Sequence, residues 1–174
     1  MRKTILAAAL LAVIAVPAFA GTTKFGFGYF DPSFPVGGRI WVSEKLALDA
    51  GVSFNTLKEE AGSVTTEDAS LMGADIGAVF VVAGSEKTKF FVRPAISFAS
   101  GEDKQANVDV SAFWVRGSLG VEHWLSDNFS IQAAHGVSYK STEFKPAVGA
   151  KVKTTEFDTE AFGVSNIGFH FYFN

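Results

Sequence analysis

The stretch NIGFHFYFN, residues 166–174, decides the fold, because apolar side chains alternate along it with polar or small ones. Ile167, Phe169, Phe171 and Phe173 occupy every second position. Successive side chains of a β-strand point to opposite faces, so the stretch predicts a strand with one apolar and one mixed polar face. Such a strand lies between an apolar medium and a polar space.

The same alternation recurs upstream and predicts seven more strands. We place them at residues 24–30, 36–42, 46–55, 70–82, 89–99, 108–125 and 129–140. Tight polar turns lie at 43–45, 84–88 and 126–128, whereas the polar stretches 58–68 and 141–158 are predicted to be longer loops. The first two strands are shorter than the roughly 9–11 residues of a tilted membrane strand, so we expect them to extend into residues 31–35.

Residues 1–20 are typical of a cleaved secretory signal, which leaves residues 21–174 as one barrel domain. A short basic start precedes an apolar run from Ile5 to Val16 and an A-x-A site at residues 18–20. The apolar run is shorter than the ~20 residues of a spanning helix, which favours a signal over a membrane anchor. The chain has no cysteine, so we expect no disulfides after export.

The composition combines 18 Phe and 17 Gly with a hydrophobic content of 48%, yet no apolar run after residue 20 could span a membrane as a helix. Much apolar surface without a helical span, in an exported chain, is typical of a membrane β-barrel. Short turns at one end and longer loops at the other agree with this interpretation. We therefore predict an all-β fold, an eight-stranded antiparallel up-and-down transmembrane β-barrel. The alternative is a soluble barrel or sandwich with its charged face in water.

The charged residues within the predicted strands all lie opposite the apolar face: Arg39, Asp49, Asp75, Arg93, Arg116 and Glu122. The turn at residues 43–45 places Arg39 directly opposite Asp49, about 5 Å away. An eight-stranded barrel has an interior that side chains fill. Because buried charges need partners, we predict an interior charge network that plugs the barrel together with Trp41 and Trp124.

The last strand resembles the C-terminal assembly signal of bacterial outer-membrane β-barrels, with a polar residue, a glycine two positions on, and aromatic residues three and five after the glycine. Asn166, Gly168, Phe171 and Phe173 fill these places, and Asn174 follows where many family members end on the aromatic residue. With its strand count and alternation, residues 21–174 resemble the small OmpA/OmpX-type barrels. The resemblance implies a place in the outer membrane, lipid around the barrel, and insertion by the barrel-assembly machinery.

We expect no enzymatic activity, no metal site and no cofactor. Outer-membrane deacylases use a His and a Ser spaced H-x-S, whereas His135 and Ser138 are one residue further apart and point to opposite faces of a strand. His123 is expected near the membrane interface and His170 in the interior. Three scattered histidines without cysteine do not give a metal-site spacing, and the sequence has neither a P-loop nor a nucleophile elbow.

The sequence leaves three functions open. The leading interpretation is a barrel with a structural or interaction role, followed by a narrow passive pore for small solutes or ions and by a lipid-modifying enzyme. The net charge of −3 becomes more negative once Arg2 and Lys3 are removed, which argues against nucleic acid as a partner. We expect a monomer, with the two longer loops as the surface for any protein partner, which the sequence does not identify.

Overall fold

The computed structural model describes residues 24–29, 33–61, 64–159 and 166–173. The predicted signal at residues 1–20 and the terminal Asn174 lie outside these ranges. The described residues form nine strands: β1 (Lys24–Tyr29), β2 (Val36–Trp41), β3 (Leu46–Ala61), β4 (Val64–Gly84), β5 (Thr88–Asp103), β6 (Val108–Ser126), β7 (Phe129–Pro146), β8 (Val152–Asp158) and β9 (Asn166–Phe173). Within the same ranges, no helix is long and apolar enough to cross a membrane.

The nine strands close into a barrel with eight positions around its wall. Each strand from β1 to β7 pairs antiparallel with the next, and β9 pairs with both β7 and β1. β8 and β9 share the eighth position, because β9 pairs with residues 129–134 of β7 and β8 pairs with residues 138–144. The predicted eight-stranded antiparallel up-and-down barrel is confirmed.

The two faces of the barrel wall differ sharply in polarity. Large apolar side chains point outwards and stay exposed, among them Phe27, Leu48, Phe54, Ile76, Phe98, Leu119 and Phe171. On the inner face, Arg39 and Glu122 are fully buried, and Asp49 and Asp75 are nearly so. A water-soluble barrel would bury its apolar face, whereas this barrel buries its charges and exposes its phenylalanines. This is the distribution of a barrel surrounded by lipid.

The prediction of long loops at residues 58–68 and 141–158 is wrong. β3 runs to Ala61 and β4 starts at Val64, while β7 continues to Pro146 and β8 returns along it from Val152. The sequence of these segments is mostly polar, so the apolar alternation that predicts a membrane strand stops. The hydrogen-bonded ladder continues because pairing of the backbone does not depend on that alternation.

The expected extension of the first two strands into residues 31–35 is wrong for the part that the structure describes. β1 and β2 contain six residues each, and residues 33–35 do not belong to either strand. Phe34 is 4% exposed and packs against the inner side of the wall at Gly51 and Gly73. Pro35 cannot donate a ladder hydrogen bond, which favours the break before β2.

Candidate functional site

Five consecutive strands, β2 to β6, direct the six charged side chains into one space inside the barrel. Strand pairing places Arg39 directly opposite Asp49, and Asp49 directly opposite Gly77. The absence of a side chain at Gly77 makes room for Arg93, since an added Cβ would lie 2.6 Å from its guanidinium. Small residues between the charges therefore let long arginine side chains cross the inner face of the wall.

The six side chains form a single chain of alternating sign. Arg39 donates from Nη1 to Glu122 Oε2 at 2.9 Å and from Nη2 to Asp49 Oδ2 at 2.8 Å. Arg93 donates from Nη2 to Asp49 Oδ1 at 2.7 Å and also to Asp75. Asp75 then accepts a hydrogen bond from the guanidinium of Arg116. These six side chains, called the charge chain below, carry three positive and three negative groups.

Glu122 anchors the end of this chain that lies nearest the short turns. Its Oε1 accepts hydrogen bonds from Ser130 Oγ at 2.6 Å and from the Tyr172 hydroxyl at 2.8 Å. His170, which is fully buried, places Nδ1 3.4 Å from the same oxygen. The expected interior position of His170 is thus observed. These neighbours supply partners to a carboxylate that has no contact with water.

Replacing Tyr172 by phenylalanine is expected to lower the free energy of unfolding by about 1–3 kcal/mol. The change removes the donor to Glu122 Oε1 and the acceptor of the Trp41 Nε1 hydrogen bond, which measures 3.2 Å. Urea unfolding of the barrel in micelles, followed by tryptophan fluorescence, measures the loss. Tyr139→Phe, at an outward position of β7 where the side chain is 44% exposed, is the matched control. Equal unfolding midpoints for the two variants would reject this role of the hydroxyl.

Aromatic rings cover the turn end of the charge chain. The ring centroids of Trp41 and Trp124 are 5.7 Å apart, and Trp124 stacks on Tyr172 at 5.8 Å. The Lys89 ammonium lies 3.9 Å from the centroid of the Trp41 ring and donates to the Glu44 carbonyl oxygen at 3.1 Å. A cation over an indole face is attracted to it, so Lys89 holds these rings across the opening.

Phe34 covers the other end of the charge chain. Its ring lies edge-on to Trp114, with centroids 6.3 Å apart, and 5.2 Å from the guanidinium carbon of Arg116. The role of Phe34 does not follow from the sequence pattern, because the residue lies at a break in the strand alternation. The available signal was a large apolar residue in an otherwise polar and proline-containing segment of an exported barrel.

The residues of the predicted assembly signal lie on the strand that closes the barrel. Asn166 starts β9, and the exposed side chains of Phe171 and Phe173 point outwards. Gly168 lies opposite Gln132 of β7, and an added Cβ there would lie 2.6 Å from the Tyr29 carbonyl oxygen. Recognition of this strand by the assembly machinery stays a prediction.

His135 and Ser138 lie on opposite faces of β7, as the alternation predicts. His135 is exposed on the outer face, whereas Ser138 is 8% exposed on the inner face. His123 Nδ1 lies 2.8 Å from the Thr88 hydroxyl at the turn end of the barrel. Among residues 24–29, 33–61, 64–159 and 166–173, no three His, Cys, Asp or Glu side chains are grouped to hold a metal ion.

Exposed ion pairs lie in the hairpins at the end of the barrel opposite the short turns. Lys151 Nζ donates to Glu143 Oε1 at 2.8 Å, and this hydrogen bond lowers the pKa of the Glu143 carboxyl. Lys104 Nζ lies 3.0 Å from Asp68 Oδ1, and the hydrogen bond raises the pKa of the lysine. Because both pairs are in contact with water, they fix the hairpin conformation more than they stabilise the fold.

No family model and no curated protein matches the chain. Solved structures similar to it at low sequence identity include the following three. A major outer membrane protein from Thermus thermophilus is 15% identical with a TM-score of 0.39, and the match covers 88% of this chain and 100% of that one. Ail, the attachment invasion locus protein of Yersinia pestis, is 13% identical with a TM-score of 0.38, covering 87% and 96%. The Pseudomonas putida toluene transporter TodX is 14% identical with a TM-score of 0.33, covering 84% and 56%.

Proposed function

We propose that the chain is an integral β-barrel protein of the bacterial outer membrane, with an interior plugged by side chains and a structural or interaction role. The observation that carries this proposal is the charge chain from Glu122 to Arg116, which joins opposite sides of the lumen. Arg39 on β2 and Glu122 on β6 lie four strands apart around the wall, yet their side chains are 2.9 Å apart. A barrel whose walls are tied across its centre has little space for a solute.

The outer surface supports the membrane location. Along β3 to β7, several successive outward positions are occupied by Leu, Ile, Val, Met and Phe. The hairpin end of the barrel is the end reached by the last residues of β3, β5 and β7. Towards this end, the last large outward residue of five strands is aromatic: Phe54, Phe98, Phe113, Tyr139 and Phe157. Transmembrane barrels carry such aromatic girdles where hydrocarbon meets the headgroups. We propose lipid as the partner of this entire surface and the monomer as the functional unit.

Covers at both ends support the plug. At the turn end, Trp41, Trp124 and Tyr172 lie below Glu122, and at the hairpin end Phe34 lies above Arg116. An ion entering from either side would have to displace aromatic side chains before it reached the charges. It would then have to separate ion pairs that are strong because little water surrounds them.

A narrow pore is the second candidate, and two recesses favour it. A cavity of about 300 Å³ opens at the turn end beside Trp41, Lys89 and Trp124. Another of about 210 Å³ opens at the hairpin end beside Phe34, Trp114 and Arg116. The charge chain and the rings of Trp41, Trp124 and Tyr172 separate the two recesses, so both would have to move before the recesses could connect. A catalytic role is not proposed, since His135 and Ser138 face opposite sides of the wall.

Conductance across a planar lipid bilayer distinguishes the plug from the pore. We expect the refolded barrel to leave the bilayer silent, with folding verified by a heat-dependent shift in gel mobility. The heat-unfolded sample serves as the matched control for nonspecific leakage. Reproducible conductance steps that change when Arg93 or Arg116 is replaced by glutamine would overturn the plug and establish the pore.

A further inference from the structure

The polarity of the barrel wall reverses beyond the aromatic girdle. The outward positions that follow Phe54, Phe98 and Phe113 are occupied by Thr56, Ser100 and Ser111. Outward residues further along the same strands are polar or charged: Lys58, Glu102, Asp109, Glu143, Lys145 and Lys153. Strands β3 to β8 therefore continue past the lipid with an outer face suited to water.

The inner face of these strand extensions changes in the opposite direction. Inward positions of the membrane part hold charges, whereas inward positions of the extensions include the apolar Leu57, Leu71, Val110, Phe144 and Val152, beside Asn55, Gly101 and Asp103. Strand pairing aligns Asn55 with Leu71, Leu71 with Gly101, and Gly101 with Val110 in one row. Leu57 and Leu71 remain 44% and 42% exposed. The strand extensions thus form a concave sheet whose hollow side carries an apolar patch.

A recess of about 250 Å³ lies in this concave side, between the extensions of β3 and β6. Leu57, Ala69, Leu71 and Val110 supply its walls. Gly101 forms part of the floor, and an added Cβ there would overlap the Ser70 carbonyl oxygen and lie 3.0 Å from Leu71 Cα. The close approach of the two backbones therefore requires glycine, and it leaves the floor without a side chain.

We propose that this recess binds a small uncharged apolar molecule, such as a single aromatic ring or an alkyl chain of about six to eight carbons. Its volume suits such a ligand, because a dry apolar cavity of about 150 Å³ already accommodates benzene. A protein partner would need to enter the hollow side of a curved sheet through a space that holds only a few side chains. The site does not depend on conduction through the barrel, so it stands or falls separately from the plug.

A charge at the rim determines which apolar ligands fit. Asp103 lies beside the recess, where Oδ1 accepts hydrogen bonds from the backbone nitrogens of Gln105 and Ala106 at 3.0 and 2.9 Å. The fixed Asp103 carboxylate disfavours a fatty-acid or other anionic headgroup at this position. The ligand class is therefore neutral hydrocarbon and not an acidic amphiphile.

Benzene titration of the methyl-labelled barrel in lipid nanodiscs, followed by NMR, tests the site. We expect saturable shifts of the Leu57, Leu71 and Val110 methyl signals. The lipid-facing methyls of Leu119 and Val115 should shift in proportion to benzene concentration without reaching a plateau, because they report only partition into the bilayer. Linear behaviour of all five residues would overturn the proposal, whether the recess stays empty or another part of the chain fills it.

A pair of variants tests whether the saturable benzene binding occurs in the recess. Val110→Asp adds a charge to the apolar wall and is expected to weaken benzene binding by at least about tenfold. Ser111→Asp adds the same charge to the next residue, which faces the opposite side of β6, and should leave the binding curve unchanged. Heat-dependent gel mobility verifies that both variants are folded. Equal binding by the two variants would place the site elsewhere and overturn the assignment.

Discussion

Replacing Asp49 by alanine is expected to lower the free energy of unfolding by about 3–5 kcal/mol, because it opens the charge chain at its middle. Asp49 accepts hydrogen bonds from both Arg39 and Arg93. Without it, Arg39 keeps its ion pair with Glu122, and Arg93 and Arg116 share the single carboxylate of Asp75 on the inner face of the wall. Urea unfolding in micelles measures the effect.

A charge-balanced double variant tests the cause of that loss. Replacing Arg93 by methionine in the Asp49→Ala background leaves two neutral pairs, Arg39 with Glu122 and Asp75 with Arg116. The double variant should therefore be more stable than Asp49→Ala alone, and the double-mutant cycle gives the coupling between the two residues. Lys104→Met, which breaks only the exposed pair with Asp68, should unfold like the wild type. Additive losses in the cycle would show that packing, and not charge, controls the stability.

Replacing Gly28 by valine is expected to prevent closure of the barrel. Gly28 lies on β1, directly opposite His170 on β9, in the pairing that joins the first strand to the last. An added Cβ would overlap the Phe169 carbonyl oxygen and lie 2.9 Å from the His170 Cα, both of which are backbone atoms. Backbone cannot move aside as a flexible side chain does, so the cost exceeds the roughly 1–3 kcal/mol of ordinary overpacking.

Heat-dependent gel mobility measures this effect directly, since only the closed barrel migrates as the compact form. The Gly28→Val variant should yield little or no compact form after refolding into detergent. Gly117→Val is the matched control, because an added Cβ at Gly117 meets nothing within 4 Å. A normal yield of compact Gly28→Val barrel would mean that β1 and β9 can close with a different spacing.

The membrane part of the barrel could be predicted because each of its residues meets one of two very different surroundings. Outward Phe and Leu, and inward Arg39 or Asp49, reveal the wall through a period of two. The same rule places six charges that are distant in the sequence on the inner face of the wall. Beyond the girdle the outer face meets water and the alternation weakens, so the continuations of β3, β4 and β7 and the whole of β8 were predicted as loops.

Details of the plug could not be predicted, since they depend on distances across the lumen. Arg39 and Asp49 are neighbours through a tight turn, and their pairing follows from local geometry. The contact of Arg39 with Glu122, by contrast, joins residues 83 positions apart in the sequence and needs the curvature of the closed wall. Phe34 packs near Arg116 but belongs to a segment that is not a strand. The period-two pattern of strand residues therefore could not predict its position.

The alternating order of the charges also bears on insertion into the bilayer, where we expect it to penalise misaligned strands. If one of the strands β2 to β6 slipped by a single residue, its charged side chain would turn from the lumen to the hydrocarbon. An arginine at the lipid midplane costs about 2–4 kcal/mol, and its former partners would lose their counterion as well. A misaligned barrel therefore carries two penalties at once, and we expect the observed register to be favoured over its one-residue slips.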